Sequence, residues 1–193
     1  MIHSLFPTPI IEINTPENLK DTFSNMFKDA LDDHFQDTTN STISKQTLSN
    51  LHHDKRLYKF FVWLDMKIRE GIKELGYSVD VIEFRDCWAN KMLKNEYVNS
   101  HNHSNSWLSG VYYPFEIEDI SSGITFFDPR PANTTMIFPG AGSKGDFTAQ
   151  DKTFEPKQGT IYVFPSWLWH SVRPVIKDER ISVSFNIVPG GGL

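Results

Sequence analysis

Cysteine is almost absent from this chain of 193 residues, in which Cys87 is the only thiol. A single cysteine excludes an internal disulfide framework and a zinc site made of cysteine ligands. Basic residues are also scarce, because 19 Lys and Arg stand against 24 Asp and Glu, and the formal net charge is -5. This balance argues against a surface that binds nucleic acid. We therefore expect a protein of a reducing compartment without a nucleic-acid partner.

Long apolar runs are missing as well. No stretch approaches the ~20 apolar residues of a membrane-spanning helix. Residues 1–13 contain Pro7 and Pro9 and lack the basic start and apolar run of a signal peptide. These absences predict a cytoplasmic protein, in the host cytoplasm if a phage encodes it, and no membrane partner. The hydrophobic fraction of 39% suits one globular domain over residues 1–193.

Apolar stripes predict two helices in the first part of the chain, after a short strand near Ile10–Ile13. The first helix should begin at Thr15-Pro16, with Thr15 as the N-cap and Pro16 in the first turn. The second should run from about Lys55 to Leu75, and the polar stretch 36–50 between them is predicted to be a loop. The residues of the two stripes are Leu19, Phe23, Phe27, Leu31 and Phe35, then Leu57, Phe61, Leu64, Ile68, Ile72 and Leu75.

From Val79 onward the pattern becomes that of short β-strands separated by Gly, Pro, Asn and Asp. The predicted strands are Val81–Trp88, Trp107–Phe115, Ile124–Phe127, Thr134–Phe138, Thr160–Phe164, His170–Val175 and Ile181–Val188. Helices followed by seven or eight strands predict an α+β, mainly β chain. Residues 1–78 would hold the first strand and the helices, and residues 79–190 a sandwich or barrel.

Three histidines are candidates for a metal site. His101 and His103 are separated by one residue, so their side chains share one side of an extended chain and can hold one ion. His170 lies among aromatic and aliphatic residues. A solvated pair of loop histidines and a buried core histidine remain alternatives, because seven histidines are present and neither motif is specific alone.

The last predicted strand alternates strictly between polar and apolar residues. Its polar face carries Arg180, Ser182, Ser184 and Asn186, and its apolar face carries Ile181, Val183, Phe185 and Ile187. If helices cover the outer wall of a barrel, the apolar face packs on them and the polar face lines the lumen. A guanidinium inside a lumen needs an anion, and a carboxylate fits its planar fork best.

Taken together, these motifs resemble the 2OG-Fe(II) oxygenase superfamily, and more narrowly a group found in marine bacteria and T4-like phages of cyanobacteria. The matching segments are His101–Tyr113, Phe127–Arg130, Gly159–Ser166, His170 and Arg180–Asn186. The resemblance implies a double-stranded β-helix, a jelly-roll barrel with the N-terminal helices packed on the outer sheet. It also implies Fe(II), 2-oxoglutarate and O2, with hydroxylation of a small-molecule or peptidyl substrate.

The resemblance assigns roles residue by residue. It makes His101, His103 and His170 the catalytic metal ligands, and Arg180, assisted by Ser182, the group that binds the distal carboxylate of 2-oxoglutarate. His103 departs from the superfamily pattern, which usually has a carboxylate there, so it is either a ligand or a neighbour of the metal. Weaker candidates are Asn90 and Tyr112 for the co-substrate, and Asp128 and Arg130 for the substrate. The alternative roles of these residues are structural, namely strand pairing, a core aromatic and an Asp–Arg loop clamp.

Two other functions fit parts of the pattern. Three histidines would suit zinc, or manganese, in a cupin-like isomerase or hydrolase, although such chemistry does not need Arg180 and Ser182. A non-enzymatic jelly roll, such as a phage structural or carbohydrate-binding protein, could use Trp167 and Trp169 as a sugar platform. Metal content and turnover of 2-oxoglutarate separate the three hypotheses.

Overall fold

Two antiparallel sheets form the body of the protein. The computed structural model describes residues 3, 5–32, 34–38, 42–130, 149–177 and 179–190. The seven-stranded sheet has the order β1-β9-β6-β11-β4-β3-β2 and the four-stranded sheet the order β5-β10-β7-β8. The strands are β1 Ile11–Asn14, β2 Gln36–Asp37, β3 Lys45–Gln46, β4 Ile82–Leu93, β5 Val98–His101, β6 Leu108–Tyr112, β7 Ile124–Phe127, β8 Asp151–Phe154, β9 Thr160–Pro165, β10 His170–Val172 and β11 Glu179–Pro189.

This arrangement confirms the predicted mainly β jelly roll with helices on its outer sheet. Most neighbouring strands are not consecutive in the chain, so the sheets close on each other around a cavity rather than forming a simple meander. The predicted strand Thr134–Phe138 lies outside the described residues. The strand predicted over His170–Val175 is shorter than expected and ends at Val172.

Both predicted helices are present, as α1 Glu17–Leu31 and α2 Tyr58–Glu74. The N-cap prediction was wrong, because Pro16 holds that position without a side-chain cap and the Thr15 backbone bonds to the Gly159 carbonyl instead. Residues 55–57 form a short 3-10 turn, so α2 begins later than predicted. Neither helix in the described part of the chain has the length and apolar character needed to cross a membrane.

An aromatic cluster joins the helices to the seven-stranded sheet. The Phe27 and Phe60 rings are 4.8 Å apart, and the Phe60 ring lies 4.7 Å from that of Tyr112 on β6. Phe23 packs edge-on against Phe60 at 5.3 Å. Because the helices bury the outer face of this sheet, its strands can turn polar side chains inward.

Strand β11 shows the consequence of this covering. Val183, Phe185 and Ile187 are buried in the core shared with the helices, and Ile181 packs against the same core. Arg180, Ser182 and Ser184 line the cavity on the opposite face. The prediction that helices reverse the usual polar-outside assignment is confirmed for these residues.

Sequence patterns missed four strands, namely β2, β3, β5 and β8. The stretch 36–50, predicted to be a loop, contains β2 and β3, and β3 pairs with β4 at the edge of the seven-stranded sheet. Two-residue polar strands have no detectable period, so only their pairing with a long neighbouring strand defines them.

Gly110 on β6 permits a close approach to β11. It lies opposite Phe185, and a Cβ atom added to it would overlap the Phe185 ring. We expect Gly110→Ala to lower the free energy of unfolding by about 1–3 kcal/mol, since the ring cannot move within a packed core. Urea unfolding at constant m-value measures this change.

The matched control is the same change in a Phe185→Leu background, where the smaller side chain leaves room for the methyl group. The loss caused by Gly110→Ala should be smaller there than in the wild type. An unchanged unfolding midpoint for Gly110→Ala alone would contradict the close packing of β6 and β11.

Candidate active site

The three predicted histidines meet at one end of the four-stranded sheet. His101 ends β5, His170 begins β10, and the two residues are direct partners in the antiparallel pair. His103 follows β5, and its backbone N–H donates to the Ser166 carbonyl at 2.9 Å. Candidate ligand atoms of all three side chains lie within 4.8 Å of one another. This spacing allows them to bind a single metal ion.

Hydrogen bonds fix the orientation of two imidazoles. His101 Nδ1 lies 2.8 Å from the Asn99 carbonyl oxygen, and His170 Nδ1 lies 2.9 Å from that of Leu168. A carbonyl oxygen only accepts, so Nδ1 carries the hydrogen in both rings. In the neutral form of such a ring, Nε2 has a free lone pair and can ligate a metal.

Burial keeps His103 and His170 neutral. Desolvation lowers the pKa of His170 to about 3, with a further contribution from the neighbouring His101. The pKa of His103 falls to about 4 for the same two reasons. Neutral imidazoles are the metal-binding form, so His103 and His170 are ready to bind a cation at neutral pH.

The donor set fits Fe(II), since imidazole is a ligand for iron as well as for zinc, copper and nickel. No Asp, Glu or Cys joins the three histidines among the described residues. A cavity of about 360 Å³ borders the cluster and has room for further ligands beside it. The residues present therefore fit an iron site with open positions.

Arg180 lies in the same cavity and is only 3% exposed. Its Nη1 donates to the Ser122 carbonyl, its Nη2 lies 2.9 Å from Met92 Sδ, and its buried Nε has no partner among the described residues. Burial lowers the pKa of the guanidinium. An incompletely paired, buried cation stabilises an anion that enters the cavity.

Ser182 and Asn90, two of the candidate residues for the co-substrate, stand beside Arg180. They are paired across β11 and β4, and both line the cavity. Gln46 of β3 joins this row, and its Nε2 donates to Asn90 Oδ1 at 2.9 Å. Sequence reasoning missed Gln46, because nothing in the polar stretch 36–50 indicates a strand.

Tyr112 takes the alternative role of a core aromatic and does not contact the co-substrate site. Tyr112 is fully buried in the core against α1 and α2 and does not line the cavity. Tyr113 lines the cavity instead, and its ring centroid lies 5.8 Å from the Arg180 guanidinium carbon. Successive residues of a strand point to opposite faces, so the alternation along β6 was the signal that could have chosen Tyr113.

Asp128 and Arg130 pair with each other after β7 rather than lining the cavity. Arg130 Nη2 lies 2.7 Å from Asp128 Oδ2, and Arg130 Nε lies 2.9 Å from Oδ1. Trp167 and Trp169 are exposed and are also not part of the cavity wall. Asp128 and Arg130, the weaker candidates for substrate contacts, therefore do not lie at the cavity.

A buried polar network that sequence reasoning also missed supports the histidine cluster. Ser109 Oγ lies 2.8 Å from both Ser166 Oγ and Asn186 Oδ1. Ser166 also supplies the carbonyl that holds the His103 backbone. The network thus connects β6 and β11 to the turn that precedes His170.

Solved structures share this fold. A prolyl-4-hydroxylase from Pseudomonas putida matches with a TM-score of 0.66 at 13% identity, covering 95% of this chain and 94% of that chain. HygX from Streptomyces hygroscopicus, with nickel and 2-oxoglutarate bound, has a TM-score of 0.63 at 12% identity, covering 94% of this chain and 83% of that chain. The viral collagen prolyl hydroxylase vCPH from Paramecium Bursaria Chlorella virus-1 matches with a TM-score of 0.55 at 16% identity, covering 94% of this chain and 96% of that chain. At these identities the likeness establishes the fold alone.

Family membership comes from the sequence match. No curated protein matches the chain. The family described as "Putative 2OG-Fe(II) oxygenase" matches residues 86–186, just over half of the chain. That segment contains the histidine cluster, Arg180 and Ser182. The chain therefore belongs to the 2OG-Fe(II) oxygenase family and is an enzyme that uses Fe(II) and 2-oxoglutarate.

Proposed function

We propose that this enzyme hydroxylates its substrate, with His101, His103 and His170 as the iron ligands and Arg180 as the anchor of 2-oxoglutarate. The observation that carries the proposal is the shared cavity. Three imidazoles and a buried, incompletely paired guanidinium face the same cavity of about 360 Å³. A dianion that chelates a metal at one end and ends in a carboxylate satisfies both groups at once.

The remaining cavity residues position the co-substrate and exclude water. Ser182, Asn90 and Tyr113 offer hydroxyl or amide donors beside Arg180, while Val111, Ile124, Phe164 and Val172 form apolar walls. Bound iron, 2-oxoglutarate and O2 supply the oxidising chemistry, in which 2-oxoglutarate loses CO2 to give succinate and a C–H bond is hydroxylated. The protein contributes binding, orientation and a dry site.

His103 makes this centre one unit more positive than a centre with a carboxylate in its place. Its ring centroid lies 5.1 Å from that of His101 and 5.2 Å from that of His170, which supports a role as third ligand. Asp86 acts on the His103 ring only through its electrostatic field, and its side chain is bonded to Asn186 at 3.4 Å. Metal affinity therefore depends on neutral donors.

The finer assignments rest on the sequence resemblance. We propose a small-molecule or peptidyl substrate, a cytoplasmic enzyme, and membership of the group found in marine bacteria and T4-like phages of cyanobacteria. Among the described side chains that line the cavity, Arg180 is the only Asp, Glu, Lys or Arg. Once its charge is matched by the co-substrate, the rest of the cavity suits an uncharged reacting group, because an unpaired buried charge is costly.

A zinc enzyme is the second candidate, since the cluster of three histidines without a carboxylate is also a zinc donor set. Arg180 has no role in metal-assisted hydrolysis as such. The two candidates differ in metal content and in what happens to 2-oxoglutarate.

The function is tested by loading the protein with Fe(II) under argon and titrating with 2-oxoglutarate. We expect a weak visible charge-transfer band from the chelate, followed on exposure to O2 by one succinate for each 2-oxoglutarate consumed. Zinc-loaded protein is the control and should give neither signal. Folded, iron-loaded protein without the band contradicts the proposal, and tight zinc binding with hydrolytic activity supports the second candidate.

Arg180→Met should weaken the binding of 2-oxoglutarate without removing the metal. We expect the Kd of 2-oxoglutarate to rise at least about tenfold, because a charge-assisted bidentate contact is lost. The Kd is obtained from the midpoint of thermal unfolding of iron-loaded protein at increasing 2-oxoglutarate concentration, since ligand binding raises this midpoint in the wild type.

The matched control is Arg173→Met, at an exposed arginine that does not line the cavity. Its thermal shift with 2-oxoglutarate should equal that of the wild type. Equal shifts in Arg180→Met and wild type would show that the guanidinium does not bind the co-substrate.

His103→Asp should strengthen Fe(II) binding by about tenfold, because an anionic ligand next to a cation gains Coulomb energy in a partly buried site. His103→Asn is the matched control of similar size without charge, and it should bind Fe(II) more weakly than wild type. Competition with a fluorescent chelator measures both affinities. Wild-type affinity in His103→Asn would show that His103 lies beside the metal and does not ligate it.

A further inference from the structure

Gln46 stands at the end of a row of polar side chains across three adjacent strands. It is paired with Asn90 of β4, and Asn90 is paired with Ser182 of β11. All three side chains line the cavity. Partners in an antiparallel pair point to the same face, so the row lies directly beside Arg180, two residues along β11 from Ser182.

The contact between Gln46 and Asn90 fixes the direction of an amide. Gln46 Nε2 donates to Asn90 Oδ1 at 2.9 Å, which engages the only acceptor atom of the Asn90 side chain. Asn90 Nδ2 has no hydrogen-bond partner among the described residues, although Asn90 is only 7% exposed. The amide therefore keeps its two N–H donors for a group inside the cavity.

The groups around this amide are donors too. Ser182 offers a hydroxyl, and Arg180 offers a buried Nε that lacks a partner. In the described part of the chain such a wall has no carboxylate, and its Asn90 Oδ1 is already engaged by Gln46. It is complementary to an anion with several acceptor oxygens, and a carboxylate has that character.

We propose that Gln46 is a positioning residue for the co-substrate: it holds the Asn90 amide with its NH2 group toward the cavity, where Asn90 donates to the carboxylate that Arg180 binds. The inference rests on the proposed function of Arg180. Without Gln46 the Asn90 amide can turn over, and its oxygen then faces the carboxylate and repels it.

The segment that carries Gln46 has other attachments, so its side chain can be changed separately. Ser44 N donates to Glu96 Oε1 at 3.1 Å, and Thr47 N donates to the Ala89 carbonyl at 3.0 Å. Ile43 is buried against Met92 and Val175. These contacts keep the strand in place when the Gln46 amide is removed.

The test is a double-mutant cycle with Gln46→Met and Asn90→Ala. The Kd of 2-oxoglutarate is read from the charge-transfer band of Fe(II)-loaded protein under argon. We expect Gln46→Met to raise this Kd about fivefold, Asn90→Ala to raise it as much or more, and the double variant to match Asn90→Ala. Lys45→Met is the matched control, since Lys45 is the neighbouring residue of β3 and pairs with Asp37 at the surface.

A second ligand separates positioning from a structural effect. 2-Oxobutyrate keeps the 2-oxo acid that chelates the metal and lacks the second carboxylate, so its Kd should be the same in wild type and all variants. The proposal is overturned if Gln46→Met leaves the Kd of 2-oxoglutarate unchanged, or if its effect on this Kd is undiminished in the Asn90→Ala background. It is also overturned if Gln46→Met raises the Kd of 2-oxobutyrate by the same factor. Failure of the proposed function itself would look different, because wild type would then show no band with 2-oxoglutarate.

Discussion

The pairing of β5 with β10 is the interaction on which the rest of the site depends. It places His170 opposite His101 although 68 residues separate them in the chain, and the Ser166 carbonyl then holds His103 beside both. Main-chain hydrogen bonds and strand register, rather than side-chain contacts, thus set the distances between the imidazoles. The same β10 strand pairs with β7 on its other side, so His170 lies on an interior strand of the sheet, while His101 lies on the edge strand β5.

A second constraint is the division of β11 into two faces. The helices take its apolar side chains into their core, and this burial offsets the cost of placing Arg180 and two serines in the interior. Stability is thereby separated from function within one strand. Changes on the helix face should alter folding, whereas changes on the cavity face should alter binding.

Much of this could be inferred from sequence because the relevant patterns are local. Alternation over residues 180–187 and the stripes of α1 and α2 survive in the folded protein with small shifts at their ends. Tyr112 and Gln46 show the limit. Choosing between Tyr112 and Tyr113 needs the direction of β6 relative to the helices, and Gln46 acquires a role only when β3 pairs with β4.

The sequence by itself determined the mainly β class, the two covering helices, and the chemical groups that the site uses: three histidines, one arginine and a serine. The class and the helices follow from residue types and their periodicity, and the assignment of these groups to one site follows from the resemblance to the 2OG-Fe(II) oxygenases. Only the tertiary structure decided that the imidazoles lie within reach of one ion, that Gln46 joins Asn90 at the cavity, and that Asp128 pairs with Arg130 instead of lining it. The reason is physical, because long-range strand register is set by the packing of the whole barrel and no short segment contains it.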